Sequence, residues 1–190
     1  MSVGNPTFPL PQKREDENSP EQKREAAIEK IRQSTLMIVE DKEGLLGLIQ
    51  EEFRKIGKTD AFVASSHEQA LIHFDQFLSQ SNNTIFVILD QDILWYEGDQ
   101  LGATEAGMQV FKDIQEKVSK SNQSRLENGQ SAIKLEVVFN SSSLPDKERA
   151  KNEFTRAGIP VAEIEDVGFS PKKEAAAESL IKHIIDKKLV

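Results

Sequence analysis

Apolar and polar residues occur in blocks along this chain, and the length of each block predicts its structure. The run Thr84–Leu89 is almost wholly apolar, follows a polar stretch at 81–83, and stops on Asp90. A short run of this kind, rich in β-branched and aromatic residues, is typical of a strand buried on both faces. Such strands belong to parallel sheets covered by helices on each side. The run therefore predicts a central strand, and ligands bind such sheets at the carboxyl ends of their strands.

Shorter or similar apolar runs predict four further strands, at 35–39, 61–64, 134–139 and 161–164. The stretches between them have apolar residues at helical spacing and predict helices at about 42–56, 65–78, 104–118 and 145–158, with a last helix starting near 170. Strands that alternate with helices imply right-handed crossovers and helices on both faces. We therefore predict an α/β fold with a five-stranded parallel sheet.

The first 34 residues predict a flexible arm with one helix. Three prolines and a charge run before Ser19 favour disorder. Ser19 and Gln22 have the spacing of a capping box, and Pro20 stands at the first helical position, so a helix is expected to run from there to about Gln33. The remainder, residues 35–190, is expected to form the domain.

Local signals also set boundaries inside the domain. Ser65 with Glu68 has the spacing of another capping box, which starts the helix before the central strand. Residues 95–103 predict a long loop with aromatic content, and loops of this kind often carry function. Residues 119–133 are polar and without periodicity, so they are interpreted as a surface insertion.

Composition narrows the function. The chain has no cysteine, which excludes disulfides and thiolate metal sites, and its three histidines are scattered. The formal net charge of −8 argues against nonspecific binding to nucleic acid or to an anionic membrane surface. No apolar run approaches the roughly 20 residues that span a bilayer. We expect a cytoplasmic protein with no nucleic-acid or membrane partner.

Acidic side chains follow two of the predicted strands. Glu40 and Asp41 come directly after 35–39, and Asp90 comes directly after the central strand, with Asp92 two residues on. If the two strands are neighbours, these carboxylates lie close together and repel, unless a proton or a cation joins them. A hard cation such as Mg²⁺ takes oxygen ligands of this kind. The alternative is a set of exposed acids that cap the following helices.

The order of Glu40-Asp41, then Asp90, then a polar residue after the fourth strand resembles a bacterial response-regulator receiver domain. The resemblance covers about residues 35 to 190 and implies a flavodoxin-like strand order 2-1-3-4-5. It implies that Asp90 accepts a phosphoryl group, that Glu40, Asp41 and Asp90 bind Mg²⁺, and that Asp92 contributes a backbone carbonyl to the metal.

The resemblance also implies partners: a histidine kinase or phosphotransfer protein as donor, and a downstream protein target. In that family a hydroxyl after strand four and a lysine after strand five contact the phosphoryl oxygens. Here the hydroxyl position falls on Asn140 or Ser141, and Ser170 stands where the lysine is expected, which leaves Lys172 as a replacement. The acids that would bind the metal and accept the phosphoryl group resemble the family more closely than the hydroxyl and lysine positions that would report phosphorylation. An altered response to phosphorylation, that is an altered readout, is therefore expected.

Two alternatives stay open at this stage. One is a pseudo-receiver that binds a protein partner without phosphorylation, with the N-terminal helix as a partner-binding or dimerising element and a homodimer as one outcome. The other is a haloacid-dehalogenase-like phosphohydrolase, which the spacing of Asp90 and Asp92 resembles. In that case Asp90 is the nucleophile and Asp92 the general acid and base.

Overall fold

A computed structural model describes residues 19–78, 84–90, 92–99 and 104–139, together with Lys182 and Ile185. Its elements follow one another as α1 (Pro20–Gln33), β1 (Thr35–Val39), α2 (Glu43–Lys55), β2 (Ala61–Ala64), α3 (His67–Leu78), β3 (Thr84–Leu89), α4 (Thr104–Glu127) and β4 (Lys134–Phe139). The predicted strand at 161–164 and the predicted helices at 145–158 and from 170 lie outside the described residues.

The four described strands form one parallel sheet in the order β2-β1-β3-β4. The predicted α/β class and the first four positions of the predicted order are confirmed, while the fifth strand stays a prediction. Val39 is in register with Ala64 on β2 and with Leu89 on β3. Because the strands end in line, whatever follows β1 and β3 meets at one edge of the sheet.

Helices cover both faces of the sheet, as predicted. Alternate residues of each strand point to opposite faces, so each strand feeds two separate cores. On one face, Met37 and Val87 pack in a cluster with α3 and α4. On the other face, Ile38 and Ile88 pack in a cluster with α1, α2 and Ile185. The strand β3 is buried from Ile85 onward, which agrees with the interpretation of its sequence as a two-sided core strand.

Helix α1 belongs to the second core. Its capping box between Ser19 and Gln22 is present as predicted. Its thin apolar stripe packs against the domain, where Ala27 and Ile31 are buried. Arg32 then donates from Nε to the carbonyl of Ile56 at 2.7 Å, which ties the end of α1 to the end of α2. The division of the chain at residue 34 stays a prediction, but the helix before it packs on the sheet.

Helix α4 is longer than the sequence predicted. The prediction ended it at about Val118 and treated 119–133 as an insertion, which is wrong for 119–127, since the helix continues to Glu127. Asn122 explains the difference, because its side chain donates to the carbonyl of Ile133 at 2.9 Å and accepts from its N–H at 2.6 Å. The last part of α4, after Val118, is polar and is thereby anchored to the following connection by side-chain hydrogen bonds.

The start of α3 is displaced by one residue from the prediction. Ser66 Oγ, rather than Ser65 Oγ, accepts from the helix, and its donor is the N–H of Gln69 at 3.2 Å. Gln69 Oε1 in turn accepts from the N–H of Ser65 at 3.0 Å. Ser66 is completely buried and bridges to Leu94, which fixes it at the cap position. The predicted pairing of Ser65 with Glu68 is therefore wrong by one residue.

Candidate metal centre at the carboxyl edge of the sheet

Two backbone hydrogen bonds carry the sheet ladder one residue past β1 and β3. The N–H of Glu40 donates to the carbonyl of Ala64, and the N–H of Asp90 donates to the carbonyl of Val39, each at 2.9 Å. Glu40 and Asp90 therefore keep the alternation of the strands and project on the same face as Ile38 and Ile88, towards α2. The local sequence, an apolar run that stops on an acid, places both carboxylates at the same edge.

Three carboxylates converge at this edge. One oxygen each of Glu40, Asp41 and Asp90 lies within 4.8 Å of the others. Glu40 and Asp90 are 1% and 2% exposed, and Asp41 is half-buried. The structure thus brings together three of the four predicted metal ligands, and their burial argues against the alternative of exposed acids that merely cap helices. We call Glu40, Asp41 and Asp90 the acid cluster.

Several oxygens of the acid cluster are only partly satisfied. Glu40 Oε1 accepts the N–H of Lys42 at 3.0 Å. The buried atoms Glu40 Oε2 and Asp41 Oδ1, however, have no hydrogen-bond partner among the described residues. A buried carboxylate oxygen without a partner carries a large desolvation penalty, so such a group takes up a proton or binds a cation. The donor set, all carboxylate oxygen, fits a hard divalent cation such as Mg²⁺.

Burial raises the pKa values of two carboxyl groups of the cluster, Glu40 and Asp90. Desolvation, followed by the negative charge of Asp90, raises the pKa of Glu40 to about 8, against the opposing N–H and ammonium of Lys42. Desolvation also raises the pKa of Asp90 to about 6, although the ammonium of Lys42 and the N–H of Asp92 favour its ionised form. At neutral pH, therefore, Glu40 holds a proton unless a cation displaces it, while Asp90 is mostly ionised.

Lys42 is a residue of this site that the sequence prediction missed. Its Nζ lies 3.5 Å from Asp90 Oδ2, and its side chain is 47% exposed while that of Asp90 is buried. Burial alone would lower the pKa of Lys42, but the negative charges of Asp90, Glu40 and Asp41 together raise it. The available signal was its position directly after the acid pair, but a long side chain at that position can also extend into solvent.

Asp92 follows Asp90 closely but presents its backbone to it. The N–H of Asp92 donates to Asp90 Oδ1 at 3.3 Å. This hydrogen bond places the start of the loop against Oδ1 of Asp90, as expected for a residue that follows a strand end. The structure does not bring the Asp92 carboxylate into the acid cluster as a ligand.

The loop after β3 is held in place by α3 and α4. The N–H of His67 donates to the carbonyl of Leu94 at 2.8 Å, and the ring of His67 lies 5.1 Å from the ring of Trp95. Asp113 on α4 completes the contact, with Oδ2 at 2.8 Å from His67 Nε2. The described part of the predicted aromatic loop is thus an ordered connection whose tryptophan packs near the carboxyl edge.

The predicted readout residues cannot be placed. Asn140, Ser141 and Lys172 all lie outside the described residues, as does Gln91, which follows Asp90. Their predicted roles stay predictions. Within the described ranges no helix is long and apolar enough to cross a bilayer.

Comparison with known proteins gives structural matches. No family model matches the sequence, and no curated protein is similar to it. Among solved structures, two variants of the receiver domain of the histidine kinase CKI1 from Arabidopsis thaliana align with 85% and 87% of this chain and 96% of theirs, at 14% identity and TM-score 0.51. The same receiver domain crystallised with Mg²⁺ and BeF3⁻ aligns at 17% identity and TM-score 0.48, over 85% of this chain and 95% of that one.

NtrX from Brucella abortus, solved in complex with ADP, aligns with 80% of this chain at 14% identity and TM-score 0.47. The chain spans 27% of the length of that protein. At these identities the matches concern architecture alone, and the two receiver variants with TM-score 0.51 carry the comparison. The resemblance to receiver domains inferred from the sequence is therefore confirmed at the level of the fold.

Proposed function

We propose that this protein is an atypical response-regulator receiver that accepts a phosphoryl group on Asp90 in a Mg²⁺-dependent reaction. The observation that carries the proposal is the acid cluster: carboxylates from two adjacent strand ends meet, with buried oxygens that lack partners among the described residues. A protein retains such a cluster at a cost in stability, and perturbed carboxylates of this kind are concentrated at functional sites. The receiver-like fold adds the context in which Asp90 is the acceptor position.

The metal ligands in this proposal are Glu40, Asp41 and Asp90, with Asp92 contributing a backbone carbonyl. When the three carboxylates of the cluster are ionised, the ammonium of Lys42 offsets one of their charges. The two charges that remain match a divalent cation. Mg²⁺ bound there would neutralise charge on the phosphoryl oxygens and orient the group for in-line transfer.

The transfer itself uses the oxygen of Asp90 that does not accept a backbone hydrogen bond. Oδ1 accepts the N–H of Asp92, which leaves Oδ2 as the nucleophile. Oδ2 forms the new bond to phosphorus as the bond from phosphorus to the donor atom breaks, and the donor keeps that electron pair. For a phosphohistidine donor the imidazole nitrogen receives the pair, and for acetyl phosphate the leaving group is acetate. Asp90 must be ionised to attack, which the N–H of Asp92 and the ammonium of Lys42 both favour.

The proposed donor is a histidine kinase or phosphotransfer protein, and the proposed recipient of the signal is a downstream protein. Readout through Asn140 or Ser141 and through Lys172 belongs to the same proposal. An amide at position 140, in place of a hydroxyl, would donate hydrogen bonds to the phosphoryl oxygens from its NH2 group, with different geometry. The altered readout is therefore part of what makes this receiver atypical.

Acetyl phosphate tests the acceptor. In the presence of Mg²⁺ we expect intact-mass measurement to detect one added phosphoryl group on the wild type, none on Asp90→Asn, and none when Mg²⁺ is chelated. Asp75→Asn is the matched control, since Asp75 is an exposed acid on α3 that pairs with Lys117. Equal labelling of the wild type and Asp90→Asn would refute the assignment.

The same assay separates the two alternatives. A second candidate function, a scaffold that binds a partner without phosphorylation, is favoured by one observation: the ammonium of Lys42 already offsets part of the acid cluster's charge. It predicts no label on the wild type under any Mg²⁺ concentration. Hydrolysis of p-nitrophenyl phosphate that is lost in both Asp90→Asn and Asp92→Asn would instead indicate a phosphohydrolase.

A further inference from the structure

The backbone of Lys42 is fixed at the acid cluster while its side chain remains partly free. Its N–H is held by Glu40 Oε1 at 3.0 Å, and it occupies the N-cap position of α2. Its ammonium lies 3.5 Å from Asp90 Oδ2, yet about half of its side chain is exposed. The residue is therefore tethered to the site, and its charge can adjust to whatever binds there.

The two oxygens of Asp90 have different neighbours. Oδ1 accepts the backbone N–H of Asp92, while Oδ2 faces the ammonium of Lys42. The ammonium thus lies beside the oxygen that the proposed function uses as nucleophile. An anionic group that approaches Oδ2 would meet this positive charge from the α2 side of the sheet edge.

We propose that Lys42 is the ammonium that contacts the phosphoryl oxygens on Asp90, supplied from the connection between β1 and α2. This inference rests on the proposed function. In the resting site the same ammonium repels a divalent cation, because both are positive and both are drawn to the same carboxylates. Lys42 therefore has opposite effects on two equilibria: it weakens the binding of Mg²⁺ and strengthens the binding of the phosphoryl group.

This opposition gives a signature that a merely structural residue would not produce. Loss of a lysine that only stabilised the fold would weaken both equilibria or neither. Loss of a charge that acts inside the site should move them in opposite directions, since the cation and the phosphoryl group differ in sign. Removing one unit charge within a few ångströms of a partly exposed site is expected to change binding by about tenfold.

The experiment compares Lys42→Gln and Lys42→Arg with the wild type. Lys55→Gln is the matched control, because Lys55 lies at the opposite end of α2 and the substitution removes the same charge. Mg²⁺ alone is titrated by the fluorescence of Trp95, which is the chain's single tryptophan. Beryllofluoride, a phosphoryl mimic, is then titrated at saturating Mg²⁺, and the rate of labelling by acetyl phosphate is measured by intact mass.

For Lys42→Gln we expect Mg²⁺ to bind about threefold to tenfold more tightly, while beryllofluoride binding and the labelling rate each fall about tenfold. Lys42→Arg keeps the charge and should retain most of both activities, and Lys55→Gln should match the wild type. Thermal unfolding of each variant checks that it is folded.

Two results would overturn the inference. If the wild type is labelled and Lys42→Gln is labelled equally fast, with unchanged beryllofluoride binding, Lys42 does not contact the phosphoryl group, while the proposed function stands. If the wild type neither binds beryllofluoride nor takes label in the presence of Mg²⁺, the proposed function fails and this inference fails with it.

Discussion

Buried charged groups lie at both edges of the sheet, and the two edges differ in how many hydrogen-bond partners these groups have. At the edge where β1 begins, the ammonium of Lys58 is 3% exposed and donates to the carbonyls of Arg32 and Ser34, while Asp60 lies 3.0 Å away as its counter-ion. This ammonium therefore has two hydrogen-bond acceptors and a counter-ion. At the opposite edge, Glu40 and Asp41 each keep a buried oxygen without a partner among the described residues.

This difference separates a structural charge from a functional one. Lys58 joins the end of α1 to the start of β1, and every bond it makes lowers the free energy of the folded state. The acid cluster contains like charges and raises the pKa values of Glu40 and Asp90, so it is expected to cost stability when all its carboxylates are ionised. A cluster that costs stability is retained for what it binds, which is why the acid cluster and not Lys58 is the candidate site.

Replacing Lys58 is expected to have the largest effect on the free energy of unfolding. Replacement by Met keeps the volume but leaves the carbonyls of Arg32 and Ser34 without this donor, so the free energy of unfolding should fall by about 3 kcal/mol. Lys55→Met, which removes an exposed lysine that pairs with Glu52, should change it by less than about 0.5 kcal/mol. Urea denaturation measures both. Equal stability of Lys58→Met and the wild type would abolish the contrast between the two edges.

Replacing Glu40 is expected to change the free energy of unfolding in the opposite direction. Glu40→Gln removes the ionisable group from the cluster, so at pH 8 without divalent cations the free energy of unfolding should rise by about 2 kcal/mol. Glu43→Gln, at an exposed position in the first turn of α2, serves as control. The same denaturation experiment reads out both variants, and a Glu40→Gln protein less stable than the wild type would show that the carboxylate stabilises the fold.

The pH dependence of stability follows from the raised pKa values. Because the pKa of Glu40 rises from 4.5 to about 8, the folded state holds a proton that the unfolded state has lost across this interval. The contribution is fully present below about pH 4.5 and disappears as the pH rises through 8. Stability without divalent cations should thus fall by on the order of 1 kcal/mol per pH unit between about pH 5 and 8. Denaturation of wild type and Glu40→Gln at each pH should show a gap that widens with pH, and parallel curves would contradict the assignment.

The smallest expected effect is that of Mg²⁺ on stability. A ligand at ten times its dissociation constant stabilises the folded state by about 1.4 kcal/mol, so Mg²⁺ should raise the melting temperature of the wild type at pH 8. Chelation should reverse the rise. Asp41→Asn and Asp90→Asn should show a smaller rise, whereas Asp75→Asn should behave as the wild type. Identical Mg²⁺ effects in all four proteins would place the cation elsewhere.

Much of the described fold could be predicted from local pattern. The strand bounds at 35–39, 84–89 and 134–139 agree with the structure because each is a short apolar run ended by polar residues. The end of α4 was missed, because Asn122 anchors the polar last part of this helix by hydrogen bonds to Ile133. Such hydrogen bonds leave no periodic pattern in the sequence. The packing of α1 was left open, because a stripe of three apolar residues does not reveal which surface covers it.

The sequence by itself determined that Glu40 and Asp90 each follow a buried strand, because in both places an apolar run stops on an acid. The tertiary structure decided that these two strands are neighbours in register. The tertiary structure alone decided which of their oxygens have partners and which way Lys42 points. The reason is physical: an apolar run and its final acid are local properties, whereas the neighbours of a charged group depend on how distant segments pack. For the same reason Lys58 and Lys42, two lysines that look alike in the sequence, have different roles: Lys58 joins α1 to β1, and Lys42 faces the carboxylate of Asp90.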